Sequence, residues 1–267
     1  MTTTSQSEAA ASHAATITDQ FTRQAEHFAA RPALHNQAVL DLLVDAAAPR
    51  PGEVSLDVAC GPGSVVVAFA RRLRRAEGLD ATEAMLNEAR KLAAANRVEN
   101  VAWHRGDVYA VPFAEAAFDI VSCRFAFHHL QEPAGALAEM IRVCRVGGRV
   151  LLCDAVASDD PTKAVAFNAM ERHRDPSTVE FRPLGFLTGL FRDAGLPEPM
   201  VRFYGVPAER DRLVAMSFPA GDDRARLRAM IDGSVEGDGM GVNARRDGDT
   251  VRFEYPAVVL VAVKGGG

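Results

Sequence analysis

Three aspartates and a pair of histidines stand where chemistry can be done. The run Leu56-Asp57-Val58-Ala59-Cys60-Gly61-Pro62-Gly63 carries an apolar strand into a turn of small residues and then into a helix. Glycines at 61 and 63 let the backbone approach a ligand with no Cβ in the way. Ligands of open α/β sheets bind at the carboxyl ends of such strands, where the strand order reverses. Asp80 ends the next strand, and a carboxylate there can accept hydrogen bonds from both hydroxyls of a ribose. A dinucleotide fits this pattern badly. The third glycine of G-x-G-x-x-G would stand at position 66, which is Val66, and its absence weakens the fingerprint. Pro62 removes a backbone donor that a pyrophosphate would use, and Asp57 would repel phosphate but suit a cation. The implied ligand is a positively charged nucleoside without phosphate. Further on, Phe118–Cys123 is an apolar strand, so Arg124 through His129 stand at the same sheet edge. Imidazole titrates near neutral pH, which makes His128 or His129 a candidate general base. The competing reading is that a histidine here holds its loop by hydrogen bonds. Phe125 and Phe127 likewise either pack or touch a substrate.

These residues need elements to hold them. Helical spacing runs over Leu34–Ala47 and is stopped by Pro49, Pro51 and Gly52. A strand over Val54–Ala59 follows, then a helix over Ser64–Arg75 and the end of a short strand at Gly78–Asp80. The polar Arg75-Ala76-Glu77 argues for that strand being short. A helix over Glu83–Asn96, strands over Val101–Arg105 and Phe118–Cys123, a helix over Pro133–Cys144 ended by Gly147-Gly148, and a strand over Arg149–Val156 complete the rhythm. Alternation of this kind predicts a parallel sheet with helices on both faces. After Val156 the spacing predicts helices over Asp159–His173, Leu184–Ala194, Ala208–Ser217 and Asp222–Val235. Strands are predicted over Met200–Val206 and Val251–Val263, and the Gly- and Asp-rich 233–249 reads as a loop.

S-adenosylmethionine is the common cationic, phosphate-free nucleoside, and Leu56–Gly63 resembles motif I of the class I S-adenosylmethionine-dependent methyltransferases. The nearest subgroup in pattern is the methyltransferase type 11, or ubiquinone/menaquinone-biosynthesis-like, family, and the resemblance runs from Phe21 to about Lys264. It departs in a small way at Ala59-Cys60, where relatives more often carry Gly-Cys or Gly-Thr. The resemblance implies a Rossmann-like, seven-stranded, mostly parallel sheet with an antiparallel last strand and a helical lid. It implies that Asp57, Ala59, Cys60, Gly61 and Gly63 line the cofactor, that Asp80 holds the ribose, and that Ala81 and Met85 flank the adenine. In Arg105-Gly106-Asp107-Val108, Gly106 borders the cofactor, Asp107 resembles the residue that accepts from the adenine amino group, and Val108 packs on the ring; Asp107 also suits a local cap. Arg124 falls near the cofactor's methionine end. The segment Gln20–Ala29 resembles the family's opening element, in which Phe28 closes the pocket where many relatives have tyrosine. Asp154, at the end of its strand, either faces substrate or caps. Arg172–Glu180 resembles a substrate-side loop that often reads Asp-Pro-Ser-His-Val-Arg. Here Thr178 and Glu180 replace the His and Arg, which points to a different substrate. Arg172 and Arg174 suit an acidic or carbonyl group, or form a surface charge cluster.

The rest of the composition sets bounds. The 267 residues carry 30 Lys and Arg against 35 Asp and Glu, a net charge of −5, which disfavours gripping a nucleic acid backbone. Cys60, Cys123, Cys144 and Cys153 form no C-x-x-C pair, so neither a metal site nor a disulfide framework is expected. Reduced thiols and the lack of an export pattern fit a cytoplasmic protein. No apolar run approaches a membrane span. Met1–Gln20, rich in Thr, Ser and Ala, reads as a disordered tail. Residues 21–267 read as one methyltransferase domain with lid segments near 21–33, 157–183 and 207–249. The resulting expectation is methyl transfer to a small-molecule acceptor by a monomer or homodimer. The alternatives are a non-methylating reaction such as a cyclisation on the same fold, a non-catalytic cofactor-binding module, or an NAD-dependent oxidoreductase, which Val66 disfavours.

Overall fold

The computed structural model describes the backbone of residues 3–30 and 35–266 and the side chains of 12–30 and 35–266. In chain order the elements are α1 (Thr3–Ala29), α2 (Gln37–Ala46), β1 (Val54–Val58), α3 (Ser64–Ala70), β2 (Arg75–Asp80), α4 (Glu83–Ala95), β3 (Val101–Arg105) and β4 (Phe118–Arg124). Then come α5 (Pro133–Val143), β5 (Cys144–Ala155), α6 (Pro161–Arg174), α7 (Leu184–Asp193), β6 (Met200–Glu209), α8 (Arg210–Ala215), α9 (Arg224–Gly233), β7 (Arg245–Asp247) and β8 (Thr250–Val263). The sheet order is β3-β2-β1-β4-β5-β8-β6, with β7 paired to β8. Strands β1 to β5 run parallel, and β8 lies antiparallel between β5 and β6. The chain moves outward from β1 to β3 and then returns to pair β4 on the other side of β1. The order therefore reverses between β1 and β4, which opens a crevice at their carboxyl ends.

Helices cover both faces of the sheet, so the centres of β4, β5 and β8 (Ile120–Val121, Val150–Cys153 and Ala257–Ala262) are apolar on both faces. Ile120, Leu151, Cys153 and Val259 face α2 and α3, packing with Leu43, Val66 and Phe69. Their neighbours Val121, Leu152 and Leu260 face the other way onto Leu137, Met140 and Phe191 of α5 and α7. A third cluster joins Phe167 and Met170 of α6, Val214 of α8, Leu227 and Ile231 of α9, and Val251 and Phe253 at the start of β8.

Several elements differ from the sequence expectation for identifiable reasons. Residues 3–20 belong to α1 and are not a disordered tail. The Ala-rich stretch has high intrinsic helix propensity, α1 packs on α4, and Gln20, Gln24 and Ala25 are buried. Leu34 and residues 31–33 of the expected cover lie outside the described residues. The helix after the glycine turn stops at Ala70, and β2 is a full strand from Arg75. Its polar Glu77 is satisfied sideways, by Arg75 Nε at 2.8 Å and His104 Nε2 at 2.7 Å. Gly147-Gly148 does not end a helix at a turn but lies inside β5, where the register against β4 jumps between Phe118↔Cys144 and Ile120↔Arg149. Gly147 takes φ 73° in this bulge. The expected loop 233–249 contains β7.

Candidate functional site

The turn after β1 is built from left-handed backbone. Ala59, Gly61 and Gly63 have φ of 56°, 51° and 82°, conformations that cost any residue but glycine. Gly63 begins α3, and a Cβ there would lie 2.6 Å from Trp103 and 2.9 Å from the Ala89 methyl. At Gly61 a Cβ would meet only the Phe28 ring of α1, at 3.9 Å. The turn is pinned by the Cys60 N–H donating to Leu79 O at 2.9 Å and the Gly61 N–H donating to Asp80 Oδ2 at 2.8 Å. The other Asp80 oxygen accepts from the Thr82 N–H at 2.9 Å. Burial raises the Asp80 carboxyl, against the pull of these amides.

This turn forms one wall of a cavity of about 620 Å3 over the carboxyl ends of β1, β2, β3 and β4. Asp57, Ala59, Cys60, Gly61, Asp80, Ala81, Met85, Gly106, Asp107, Val108, Arg124 and Phe28 all line it. Gly63 does not; it lies behind the wall at the start of α3. Asp57 accepts from Ser122 Oγ at 2.6 Å. Burial pushes its carboxyl up to about 7, opposed by Ser122 and Arg124 and assisted by Asp80. Asp107 lines the cavity and also accepts from the Tyr109 N–H at 3.0 Å, so both of its expected roles are geometrically open. The four cysteines are buried, and burial pushes the Cys60 thiol up, so it carries no thiolate for nucleophilic work.

The two histidines part company. His129 lines the cavity; its Nδ1 lies 3.1 Å from Ser177 Oγ, and its ring meets Phe21 edge-on at 5.0 Å. His128 lies outside the cavity wall. Its Nδ1 is 2.8 Å from Asp154 Oδ1, its N–H donates to Asp154 Oδ2 at 3.1 Å, and its ring stacks on Phe181 at 4.1 Å. Its carbonyl accepts from the Val179 and Glu180 N–H groups, so His128 and Asp154 together clamp the 175–181 segment. Among the expected substrate residues, Phe127, Asp154, Arg172 and Arg174 all lie off the cavity wall. Phe127 is core, Arg172 donates to Val179 O, and Arg174 is buried against Glu171 at 2.7 Å. The cover also differs. Residues of α1, including His13, Ile17, Phe21 and Phe28, close the cavity, while 157–183 and 207–249 contribute no wall residue and fold instead on the third apolar cluster.

Sequence reasoning missed the wall residues Ile17, Tyr109, Leu130 and Glu132, and it missed Asp175 and Ser177 behind His129. Ile17 carried a legible signal, the helical spacing to Phe21 and Phe28. The pairing of Ser177 with His129 spans 48 residues and left no local trace.

The donor set suits an adenosyl cation. Two anchored carboxylates, Asp57 and Asp80, face a cleft whose glycine turn leaves room for a ligand backbone-close, and Ala81, Met85 and Val108 supply apolar sides. Residues 56–152 match the methyltransferase domain family. The chain is 31% identical over 198 residues, 72% of its length and 75% of the relative's, to the ubiquinone/menaquinone biosynthesis C-methyltransferase UbiE of Dinoroseobacter shibae. The chain belongs to the class I S-adenosylmethionine-dependent methyltransferases, in the methyltransferase type 11, UbiE-like family. This methyltransferase is also 28% identical over 246 residues to the uncharacterized methyltransferase YcgJ of Bacillus subtilis, covering 91% of this chain and 97% of that one. The crystal structure of YcgJ superposes with a TM-score of 0.79 at 26% identity, over 87% of this chain and all of that one. Among the described residues of the methyltransferase, no helix is long and apolar enough to cross a membrane.

Proposed function

We propose that the enzyme binds S-adenosylmethionine along the β1–β2–β3 side of the cavity, releases S-adenosylhomocysteine, and methylates a small, largely apolar acceptor seated between His129 and α1. Quinone-like rings, heterocycles and other secondary metabolites fit this class. The observation that carries the reading is the continuity of one cavity from the Asp57–Asp80 carboxylates to His129.

Bound at this site, the cofactor supplies an electrophilic methyl group on a sulfonium. The chain's own residues do the rest. Asp80 accepts from the ribose hydroxyls with an orientation preset by the Gly61 and Thr82 amides. Asp57 faces the cationic end. Met85 and Val108 pack on the base, with Asp107 at its edge. Phe21 and Phe28 exclude water, which strengthens polar contacts inside. Holding the acceptor in attack geometry supplies on the order of 7–11 kcal/mol of the barrier reduction, and His129 takes the proton that an acidic O–H, N–H or C–H must lose. The −5 charge and the enclosed cleft favour a small molecule over a nucleic acid, and the chain acts as a monomer or homodimer.

The test is incubation of the purified enzyme with methyl-labelled cofactor and a panel of phenolic, quinol and heteroaromatic acceptors. Label in an acceptor, with S-adenosylhomocysteine formed in equal amount, is the expected result. Tight cofactor binding with an acceptor converted but unlabelled would replace transfer by a non-methylating reaction.

A further inference from the structure

Running back from the cavity wall, three buried polar side chains from two distant segments form a line: His129 on the wall, then Ser177 and Asp175 behind it. Ser177 is fully buried and Asp175 is 4% exposed. Ser177 Oγ lies 2.5 Å from Asp175 Oδ1 and 3.1 Å from His129 Nδ1. The Ser177 N–H also donates to Asp175 Oδ1, at 3.0 Å. Burial acts to raise the Asp175 carboxyl, and Arg174 and the two donors of Ser177 act against it, as does any positive charge on the His129 ring, so that its net shift is downward. An ionised carboxylate only accepts. The single hydroxyl proton of Ser177 therefore points at Asp175, and Ser177 Oγ is left with lone pairs toward the ring.

We infer that Asp175 and Ser177 are positioning residues that hold His129 as the Nδ1–H tautomer, so that a bare Nε2 is presented to the acceptor. This rests on the proposed methyl transfer and deepens it. An acceptor served by such a nitrogen must arrive carrying its proton, as a phenol, enol, N–H heterocycle or activated C–H. In the step, the proton moves from the acceptor to Nε2, and the acceptor keeps the electron pair that will bond to the methyl carbon. Asp175, acting through the Ser177 hydroxyl, offsets part of the cost that burial and His128 place on the imidazolium so formed, and the proton later leaves to water. Burial and the neighbouring His128 hold the resting imidazole below its ordinary range, so Nε2 is unprotonated before the acceptor binds. The titratable groups that act on the ring are His128, Asp175 and Asp154. Ring orientation is fixed further by the edge of Phe21, and the backbone N–H of His129 donates to Ala126 O, which holds the main chain of the turn.

The experiment uses full-length protein labelled with 15N at histidine, with the His129 signals assigned by their loss in His129→Gln. The expected spectrum shows a protonated Nδ1 and a bare Nε2 at neutral pH. In Ser177→Ala, and separately in Asp175→Asn, the ring is expected to shift to mixed tautomers. In both variants the cofactor affinity is expected to hold within about twofold, since neither residue lines the cavity. On the labelled acceptor, kcat is expected to fall at least about tenfold in each variant, as part of the 10²–10⁴ that a general base contributes, with acceptor KM unchanged. Ser177→Thr, which restores the hydroxyl, is expected to recover tautomer and rate together. A wild-type spectrum with protonated Nε2 overturns the inference, as does an unchanged tautomer or an unchanged kcat in folded Ser177→Ala and Asp175→Asn. The spectrum is read without any acceptor. A failure of methyl transfer in the wild type therefore overturns the functional reading separately from the tautomer.

Discussion

Burial lifts the Asp57 carboxyl to about 7, which puts its charge under control of ordinary solution pH. Its folded value lies above the unfolded 3.8. The neutral form therefore contributes stability at low pH, and that contribution is lost as pH rises through 7. Ligand binding runs the opposite way, because a cationic ligand is attracted only by the ionised carboxylate. Affinity for S-adenosylmethionine is expected to rise about tenfold between pH 6 and pH 8, with Asp57→Asn flattening the dependence; titration calorimetry at the two pH values checks both. In the proposed binding mode Asp80 acts through hydrogen bonds to the ribose. Losing charge-assisted bonds worth about 1.5–3 kcal/mol in Asp80→Ala is expected to weaken cofactor binding by roughly 10- to 100-fold, read by the same calorimetry. These two aspartates were legible in the sequence because each ends a strand. His128 and His129 were legible only as a pair. One residue of offset sends one ring to Asp154 and the other to the cavity, and no periodicity distinguishes them inside a short 3-10 turn.

The glycine turn is an element in its own right, and it works because Trp103 of β3 fills the space that a side chain on Gly63 would need. Gly63→Ala combines a left-handed conformation, about 1–2 kcal/mol, with overpacking, about 1–3 kcal/mol. Thermal denaturation of the apo protein is expected to show a loss of that summed size, and Gly61→Ala a smaller one, since its Cβ would meet only Phe28. Elements with strong periodicity, such as α4, β3, β4 and α7, stand within a few residues of where the sequence places them. The misplacements share a cause: tertiary partners override local preference. Glu77 is tolerated in β2 because Arg75 and His104 reach it. Gly147 permits a bulge in place of a turn because its N–H is taken by Lys264 O. The stretch 3–20 is helical, with α1 resting on α4 and roofing the cavity.

At the scale of the whole molecule, α6, α8, α9 and the first half of β8 make a second body of core beside the sheet, and its polar centre is a buried pair. Glu171 is fully buried, bonded to Arg174 at 2.7 Å, and accepts from Tyr255 Oη at 2.7 Å. Removing one partner of such a pair leaves an uncompensated charge, which costs about 3–5 kcal/mol. Glu171→Ala is therefore expected to lower the unfolding free energy by that amount in a denaturant titration. Limited proteolysis is expected to cut first within 157–183 or 207–249. Because this body also carries Asp175 and Ser177 on the segment leaving α6, its loosening is expected to reach His129 while sparing the Asp80 side of the cavity.

The sequence by itself determined the strand–turn–helix of residues 56–70, the carboxylates at and just past the ends of the next two strands (Asp80 and Asp107), and the parallel sheet that aligns them, because each of these is written in local spacing and in residues adjacent along the chain. Only the tertiary structure decided that α1 is the cover, that Arg174 is an internal counter-ion, and that Ser177 and Asp175 stand behind His129. Those assignments depend on contacts between segments tens of residues apart, where burial sets partner and charge state, and burial is a property of the assembled fold that no local pattern encodes.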